Sequence, residues 1–131
     1  MITDFVKNWF FRGEEDMALI RLILKEGNSL PNLACFHAQQ AAEKYLKGFL
    51  AYHDLHARKI HSIKELLEDC EQLDNSFSQL QKDADFLSQF YIETRYADDY
   101  IEFSREDAEK ALEVASRIKE LVLEKIKLNT N

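Results

Sequence analysis

Hydrophobic residues recur at helical spacing along most of the chain. In the first quarter they alternate between spacings of four and three, which places them on one face of a helix. The members of this stripe are Val6, Phe10, Gly13, Met17, Ile20 and Leu24. The pattern predicts a helix from Asp4 to Glu26, with Thr3 as the N-cap residue.

The second helix is predicted from Pro31 to Tyr52. The break before it is 27–29, where glycine accepts the left-handed conformation that ends helices. Proline suits the first turn, since that position needs no N–H donor. The stripe of this helix is rich in small side chains, which let a neighbouring helix approach closely, so we expect it at the bundle centre. Its members are Ala34, Ala38, Ala41, Tyr45 and Phe49.

A loop and three more helices are predicted in the second half. Residues 53–60 lack helical period, and Ser62 then begins a capping box for a short third helix. The stripe of the fourth helix continues until it ends near Arg95 and Tyr96. The fifth helix is capped by residues around Ser104 and keeps its apolar period to Asn129.

Composition supports an all-α fold. The 131 residues include three glycines and one proline, too few for the tight turns of a sheet sandwich. We predict one domain over residues 1–131, folded as an antiparallel up-down bundle of about five helices, four long and one short. The net charge of −7 argues against a broad surface that neutralises nucleic-acid phosphates, and leaves room for a local basic site.

Cysteine and histidine placement argues against a disulfide or a metal centre. Cys35 and Cys70 lie far apart beside apolar neighbours, so we expect buried free thiols. His53, His56 and His61 lack a defined zinc spacing, and we expect no metal and no cofactor. No run approaches the roughly 18 apolar residues that a membrane span requires, which predicts a cytoplasmic protein.

A polar band interrupts the second helix. Gln39, Glu43 and Lys47 are each four residues apart, and Gln40 and Lys44 form the neighbouring row. One interpretation is a solvated face with a weak ion pair between Glu43 and Lys47. The other is that these groups line a groove at a dimer interface or a ligand site.

A second cluster surrounds Arg95. This arginine has Tyr91, Tyr96 and Tyr100 as neighbours in sequence. It would stabilise a helix C-terminus through the exposed carbonyls, and the tyrosines would be ordinary core residues. Alternatively, a guanidinium among tyrosines suits a phosphate and a base.

Taken in order, these features resemble the HEPN domain family over roughly the whole chain. The residues that carry the resemblance are Trp9, Asp16, the run Ala38-Gln39-Gln40-Ala41-Ala42-Glu43-Lys44, Lys47, His61, Thr94-Arg95-Tyr96 and Asp107-Ala108. The resemblance implies a small helical bundle that typically dimerises and acts on nucleotides or RNA. It also implies a genetic partner, a minimal nucleotidyltransferase, in a toxin and antitoxin pair.

Many HEPN proteins are metal-independent ribonucleases in which an arginine is followed, four to six residues later, by a histidine. If Arg95 is that arginine, the histidine position is occupied by Tyr100, Ile101 or Glu102. The motif is therefore incomplete, because histidine is the usual proton carrier near neutral pH. Tyr100 or Glu102 would have to substitute, or His37 or His61 would have to reach the site from another helix.

Three hypotheses follow. The first is a non-catalytic, homodimeric module that binds a nucleotide or RNA and pairs with a nucleotidyltransferase. The second is a metal-independent ribonuclease that uses Arg95 with an unconventional base, for which the candidates are Tyr100 and Glu102. The third is a structural oligomerisation bundle. The nucleotide-binding residues of the first hypothesis are Gln40, Lys44, Lys47, Arg95 and Tyr96.

Overall fold

The computed structural model describes residues 2–26, 30–91 and 101–129. All regular structure among these residues is helical, which confirms the all-α prediction. The helices are α1 (Asp4–Lys25), α2 (Pro31–Tyr52), α3 (Ile63–Leu73), α4 (Gln81–Ser88) and α5 (Arg105–Asn129), and a 3₁₀ helix (Asn75–Leu80) leads directly into α4. The break predicted at 27–29 lies outside the described residues.

Side-chain caps set the predicted helix starts. Thr3 caps α1 through a 3.3 Å hydrogen bond, and Ser62 Oγ accepts the Glu65 N–H at 3.2 Å at the start of α3. At α5, Ser104 Oγ accepts the Asp107 N–H at 3.0 Å. The Asp107 carboxylate accepts the Ser104 N–H at 2.9 Å in return. Each bond satisfies a backbone donor that the helix itself leaves unpaired.

The fourth helix is shorter than the sequence predicted. It ends at Ser88 rather than near Arg95. Side chains satisfy its last carbonyls, because Ser88 Oγ donates to the Ala84 carbonyl at 2.7 Å and Gln89 Nε2 donates to the Phe86 carbonyl at 2.8 Å. The chain then turns and buries the Phe90 ring in the core.

The alanine-rich helix α2 occupies the centre of the bundle, as its stripe predicted, and contacts each of the other four helices. Two glycines allow α1 to approach it. A Cβ atom at Gly13 would lie 2.8 Å from Cε2 of Tyr45, and one at Gly48 would overlap the ring of Phe10. These two pairs run in opposite directions along the chain, so α1 and α2 are antiparallel.

Helix α3 runs in the same direction as α2, because residues 53–62 return the chain to the start of its neighbour. Gln39 Nε2 donates to the His61 carbonyl at 3.0 Å, and Cys70 Sγ lies 3.8 Å from the Leu46 carbonyl further along both helices. This return brings His61 beside the middle of α2. Among the described residues, no helix combines the length and the apolar character that crossing a bilayer requires.

Candidate functional site

One narrow strip of α2 faces solvent. From Ala34 to Ala51 every α2 residue is buried except Phe36, His37, Gln40 and Lys44. These residues follow one another at spacings of one, three and four, so they lie on one side of the helix. We call them, with the exposed Leu33 before them and the buried Lys47 beside them, the α2 strip. Three predicted site residues, Gln40, Lys44 and Lys47, therefore share one surface.

A carboxylate of α1 holds two basic groups of the strip. Asp16 is 7% exposed, and its Oδ1 lies 2.8 Å from Nδ1 of His37. Its Oδ2 accepts a 2.5 Å hydrogen bond from Nζ of Lys44. Since an ammonium has three donors, this bond orients Lys44 and uses one of its N–H groups.

A second carboxylate does the same at the other end of the strip. Glu43 is 3% exposed and Lys47 is 8% exposed. The interpretation of this pair as solvated is therefore wrong. Glu43 Oε1 lies 2.7 Å from His61 Nδ1 and 3.6 Å from Lys47 Nζ. The pair is buried because His61, brought in by the connection between α2 and α3, covers it, and the helical period alone could not reveal this.

Two glutamines complete the support for this side of α2. Gln39 is fully buried and bonds the His61 carbonyl. Gln40 Nε2 then donates to Gln39 Oε1 at 2.6 Å. A buried amide needs such partners, and here they fix the strip to the connection that carries His61.

The residues on either side of 92–100 are anchored beside α2. The Tyr91 ring stacks on His61 with centroids 4.8 Å apart and planes inclined by 16°. At the other end, Asn32 Nδ2 donates to the Ile101 carbonyl at 2.6 Å, and Asn32 Oδ1 accepts the Phe103 N–H at 2.8 Å.

Three predicted site residues, Arg95, Tyr96 and Tyr100, lie outside the described residues. Glu102, the remaining candidate base, is exposed beside Ile101. The structure thus brings together the lysines and Gln40, but it does not test the arginine.

Aromatic and basic residues of α1 extend the strip. Nζ of Lys47 lies 5.6 Å from the centroid of the Trp9 ring, and Cζ of Arg12 lies 5.6 Å from the same centroid. Phe5 packs edge-on against Trp9 with centroids 6.3 Å apart. Trp9 and Asp16 entered the sequence analysis only as residues of the family resemblance and were not predicted as site residues. Phe5, Trp9, Arg12 and Asp16 are spaced four, three and four residues apart, and this spacing was the signal that they share one side of α1.

The other side of α2 also carries polar groups, and these surround a buried phenol. We call Glu14, Tyr45 and Lys119 the Tyr45 cluster. Tyr45, 2% exposed, donates its hydroxyl proton to Glu14. Lys119 of α5 donates to Glu14 Oε1 at 2.8 Å. Burial and the Glu14 carboxylate both raise the pKa of Tyr45.

Opposing effects act on the pKa of Glu14. Burial by itself would raise the pKa of its carboxyl, but hydrogen bonds from Lys119 and Tyr45 hold that pKa below its usual value. The cluster therefore keeps Glu14 as a carboxylate and Tyr45 as a neutral phenol at neutral pH. Together with Lys119 they join α1, α2 and α5.

Both cysteines are buried free thiols, as predicted. Burial raises the pKa of Cys35 to about 12 and also raises that of Cys70. Thiols that resist ionisation are poor nucleophiles and poor metal ligands. Within the described ranges no three His, Cys, Asp or Glu side chains gather in a way that could hold a metal ion.

The model of the HEPN domain matches residues 6–126. The chain belongs to the HEPN domain family. Two crystal structures resemble it, each with 32% sequence identity over 92% of this chain and 97% of the other. They are TT1696 from Thermus thermophilus, with a TM-score of 0.80, and ST0689, an archaeal HEPN homologue, with a TM-score of 0.74. A comparison with curated proteins found no match.

Several of the described residues on which the HEPN resemblance was based are close in space. Asp16 bonds Lys44, Glu43 pairs with Lys47 and His61, and Trp9 lies beside Lys47. In this HEPN domain, polar residues from α1, α2 and the connection after α2 therefore meet along one side of α2.

Proposed function

We propose that this HEPN domain binds single-stranded RNA or nucleotides through phosphate contacts along the α2 strip, as a cytoplasmic homodimer partnered with a minimal nucleotidyltransferase. The observation that carries the proposal is the pair of buried carboxylates, Asp16 and Glu43. They fix two histidines and two lysines beside one partly exposed edge of α2.

Charge supports an anionic ligand. The chain as a whole is acidic, with a net charge of −7. Locally the balance is reversed, because Lys44 and Lys47 of the strip and Arg12 beside it supply three positive charges, whereas Asp16 and Glu43 supply two negative ones. A fixed ammonium with spare donors binds phosphate without first losing side-chain freedom. The site is therefore ordered before the ligand arrives.

The test is the affinity of the protein for a labelled RNA of six nucleotides, measured by fluorescence anisotropy. Lys44→Gln and Lys47→Gln should each weaken binding about tenfold, because each removes a charged hydrogen bond. Each should also flatten the slope of log affinity against log salt by about 0.7 for one lost phosphate contact. Lys82→Gln, at an exposed lysine of α4, is the matched control and should change neither quantity. Equal affinities for all four proteins would refute the proposal.

Arg95 and Tyr96 belong to the same proposal. Only a few residues separate them from Tyr91, whose ring is stacked on His61. We expect Arg95→Ala to weaken RNA binding at least as much as Lys44→Gln, since a guanidinium contacts phosphate through two donors.

The dimer is tested separately by light scattering, which should give twice the 15.4 kDa chain mass. Reversing charge with Lys44→Glu should lower that mass if the strip is an oligomerisation seam and nothing more. A change in mass without a change in RNA affinity would favour the structural bundle.

A second candidate, metal-independent RNA cleavage, is favoured by the contact of Asp16 with His37. A carboxylate bonded at Nδ1 orients an imidazole so that Nε2 can exchange a proton with a substrate, as in catalytic dyads. This arrangement would supply the base that the sequence lacks after Arg95. If it operates, cleavage should persist with chelator and be lost in His37→Asn and Arg95→Ala. Cleavage that survives both substitutions would exclude this mechanism.

A further inference from the structure

The first turns of α1 form an aromatic and basic surface. Residues 5–12 read Phe-Val-Lys-Asn-Trp-Phe-Phe-Arg, with two cations and no carboxylate. Phe5 is 57% exposed and Phe11 is 67% exposed. An open cavity of about 370 Å³ lies here, with much of its volume facing solvent. Its lining residues are Phe5, Asn8, Trp9, Phe11 and Arg12.

This surface is continuous with the α2 strip. Lys47 lies near the Trp9 ring on one side and pairs with Glu43 on the other. The strip from His37 to Lys47 is about 15 Å long at 1.5 Å per helical residue. At about 3.4 Å per stacked nucleotide, that length matches several nucleotides of a strand and exceeds one mononucleotide.

We propose that Trp9 is the stacking platform for an unpaired base of the strand whose phosphates contact the α2 strip. Arg12, which lies over the Trp9 ring without a ligand, moves to the neighbouring phosphate and leaves a ring face to the base. The proposal rests on the proposed function and identifies its ligand as a single strand. Aromatic rings bind bases of any sequence because each base has a π face. Asn8, on the same cavity, offers an amide to a base edge.

Charge favours a nucleic-acid strand over a second copy of this chain on the same surface. In a two-fold dimer through residues 5–12, this basic stretch would meet the same stretch of the other copy, so Lys7 and Arg12 of one copy would lie near those of the other. With no carboxylate in this stretch, such a contact would place like charges together. A phosphate-bearing strand meets the same surface with opposite charge.

Trp9 is the single tryptophan of the sequence, so its fluorescence reports directly on this site. Titration with hexaadenylate RNA should quench it, and the quenching should saturate at the affinity found by anisotropy. Ribose 5-phosphate, which has no base, should leave the fluorescence unchanged. Arg12→Ala replaces an exposed residue and keeps the Trp9 reporter, and it should weaken the RNA affinity measured by quenching several-fold.

Substitution of the ring gives a second test that needs no tryptophan signal. Trp9→Leu should weaken anisotropy-detected binding about tenfold, and Trp9→Phe should lose less because it keeps an aromatic face. Leu22→Ala, at another exposed apolar residue of α1, should bind as the wild type does. Circular dichroism establishes that each variant keeps its helices, and Arg12→Ala serves if Trp9→Leu does not fold.

The outcomes separate this inference from the proposed function. RNA binding without quenching, and with normal affinity in Trp9→Leu, would overturn the stacking platform and leave the phosphate strip intact. Quenching by AMP as strong and as tight as by hexaadenylate would overturn the strand as ligand. Loss of dimer mass in Trp9→Leu with unchanged RNA affinity would assign the surface to a second copy. No binding by either readout would overturn both proposals.

Discussion

The two sides of α2 carry similar polar groups in different settings. In the Tyr45 cluster, a carboxylate accepts hydrogen bonds from a buried phenol and from an ammonium of α5. On the α2 strip, Asp16 and Glu43 also hold cationic groups, yet His37 and Lys44 remain partly open to solvent. The first arrangement joins three helices. The second presents its basic groups outward.

The difference separates stability from binding. The Tyr45 cluster lowers the free energy of the fold, since the buried phenol and the Lys119 ammonium both find their acceptor within the protein. The strip has buried carboxylates and partly buried cations, and each lysine ammonium there has more donors than its carboxylate takes up. Substitutions in the Tyr45 cluster should therefore change stability, whereas those on the strip should mainly change affinity.

The largest effect is expected for Tyr45→Ala. It removes a buried ring that stacks on Phe10 at a centroid distance of 5.5 Å, and the cavity should cost about 3–5 kcal/mol of unfolding free energy. Tyr45→Phe keeps the ring and should cost only about 1 kcal/mol for the lost hydrogen bond. Urea denaturation followed by circular dichroism measures both. Similar losses in the two variants would mean that the hydroxyl, and not the ring, dominates.

Asp16→Ala should have an intermediate effect on stability and a larger one on affinity. His37 and Lys44 lose their acceptor but can turn toward solvent, which limits the cost to about 1–3 kcal/mol. Both groups then lose their fixed positions, and RNA affinity should fall while Tyr45→Phe binds normally. If Asp16→Ala bound RNA as tightly as the wild type, RNA binding would not require Asp16 to hold His37 and Lys44 in place.

The smallest effect is expected from the pH dependence of Glu14. Its pKa is lower in the folded protein than its usual value, so it contributes stability above the unfolded pKa of about 4.5. That contribution is lost as the pH falls through the folded pKa. Because Glu14 is nearly half exposed, the amount should remain below about 1 kcal/mol.

Urea midpoints between pH 3 and pH 7 measure this contribution. The acid-induced fall in stability should be shallower in Glu14→Gln than in the wild type. A Glu14→Gln variant with an unchanged acid slope would show that the carboxylate is not held in its charged form.

The helices could be predicted because their signals are local. Proline at Pro31 and the stripe after it placed α2 at its observed bounds, and Ser62 and Ser104 placed two helix starts. The end of α4 was missed because it depends on side-chain bonds to carbonyls, from Ser88 and Gln89, that periodicity does not encode.

The site was predicted only in part, for a related reason. Spacing placed Gln40 and Lys44 together, but burial of the Glu43 pair depends on His61, which is distant in sequence. The hydrogen bond between Asp16 and His37 likewise joins two helices. Such contacts follow from tertiary packing and have no counterpart in the hydrophobic pattern.

The most direct test of phosphate binding on the α2 strip is a titration of ¹⁵N-labelled protein with hexaadenylate RNA, followed by amide chemical shifts. We predict that shifts concentrate in residues 33–47 of α2 and 5–16 of α1, while α5 around Arg117 and Lys119 changes little. Shifts confined to α4 and α5, or no shifts at RNA concentrations that saturate anisotropy, would contradict phosphate binding on the strip.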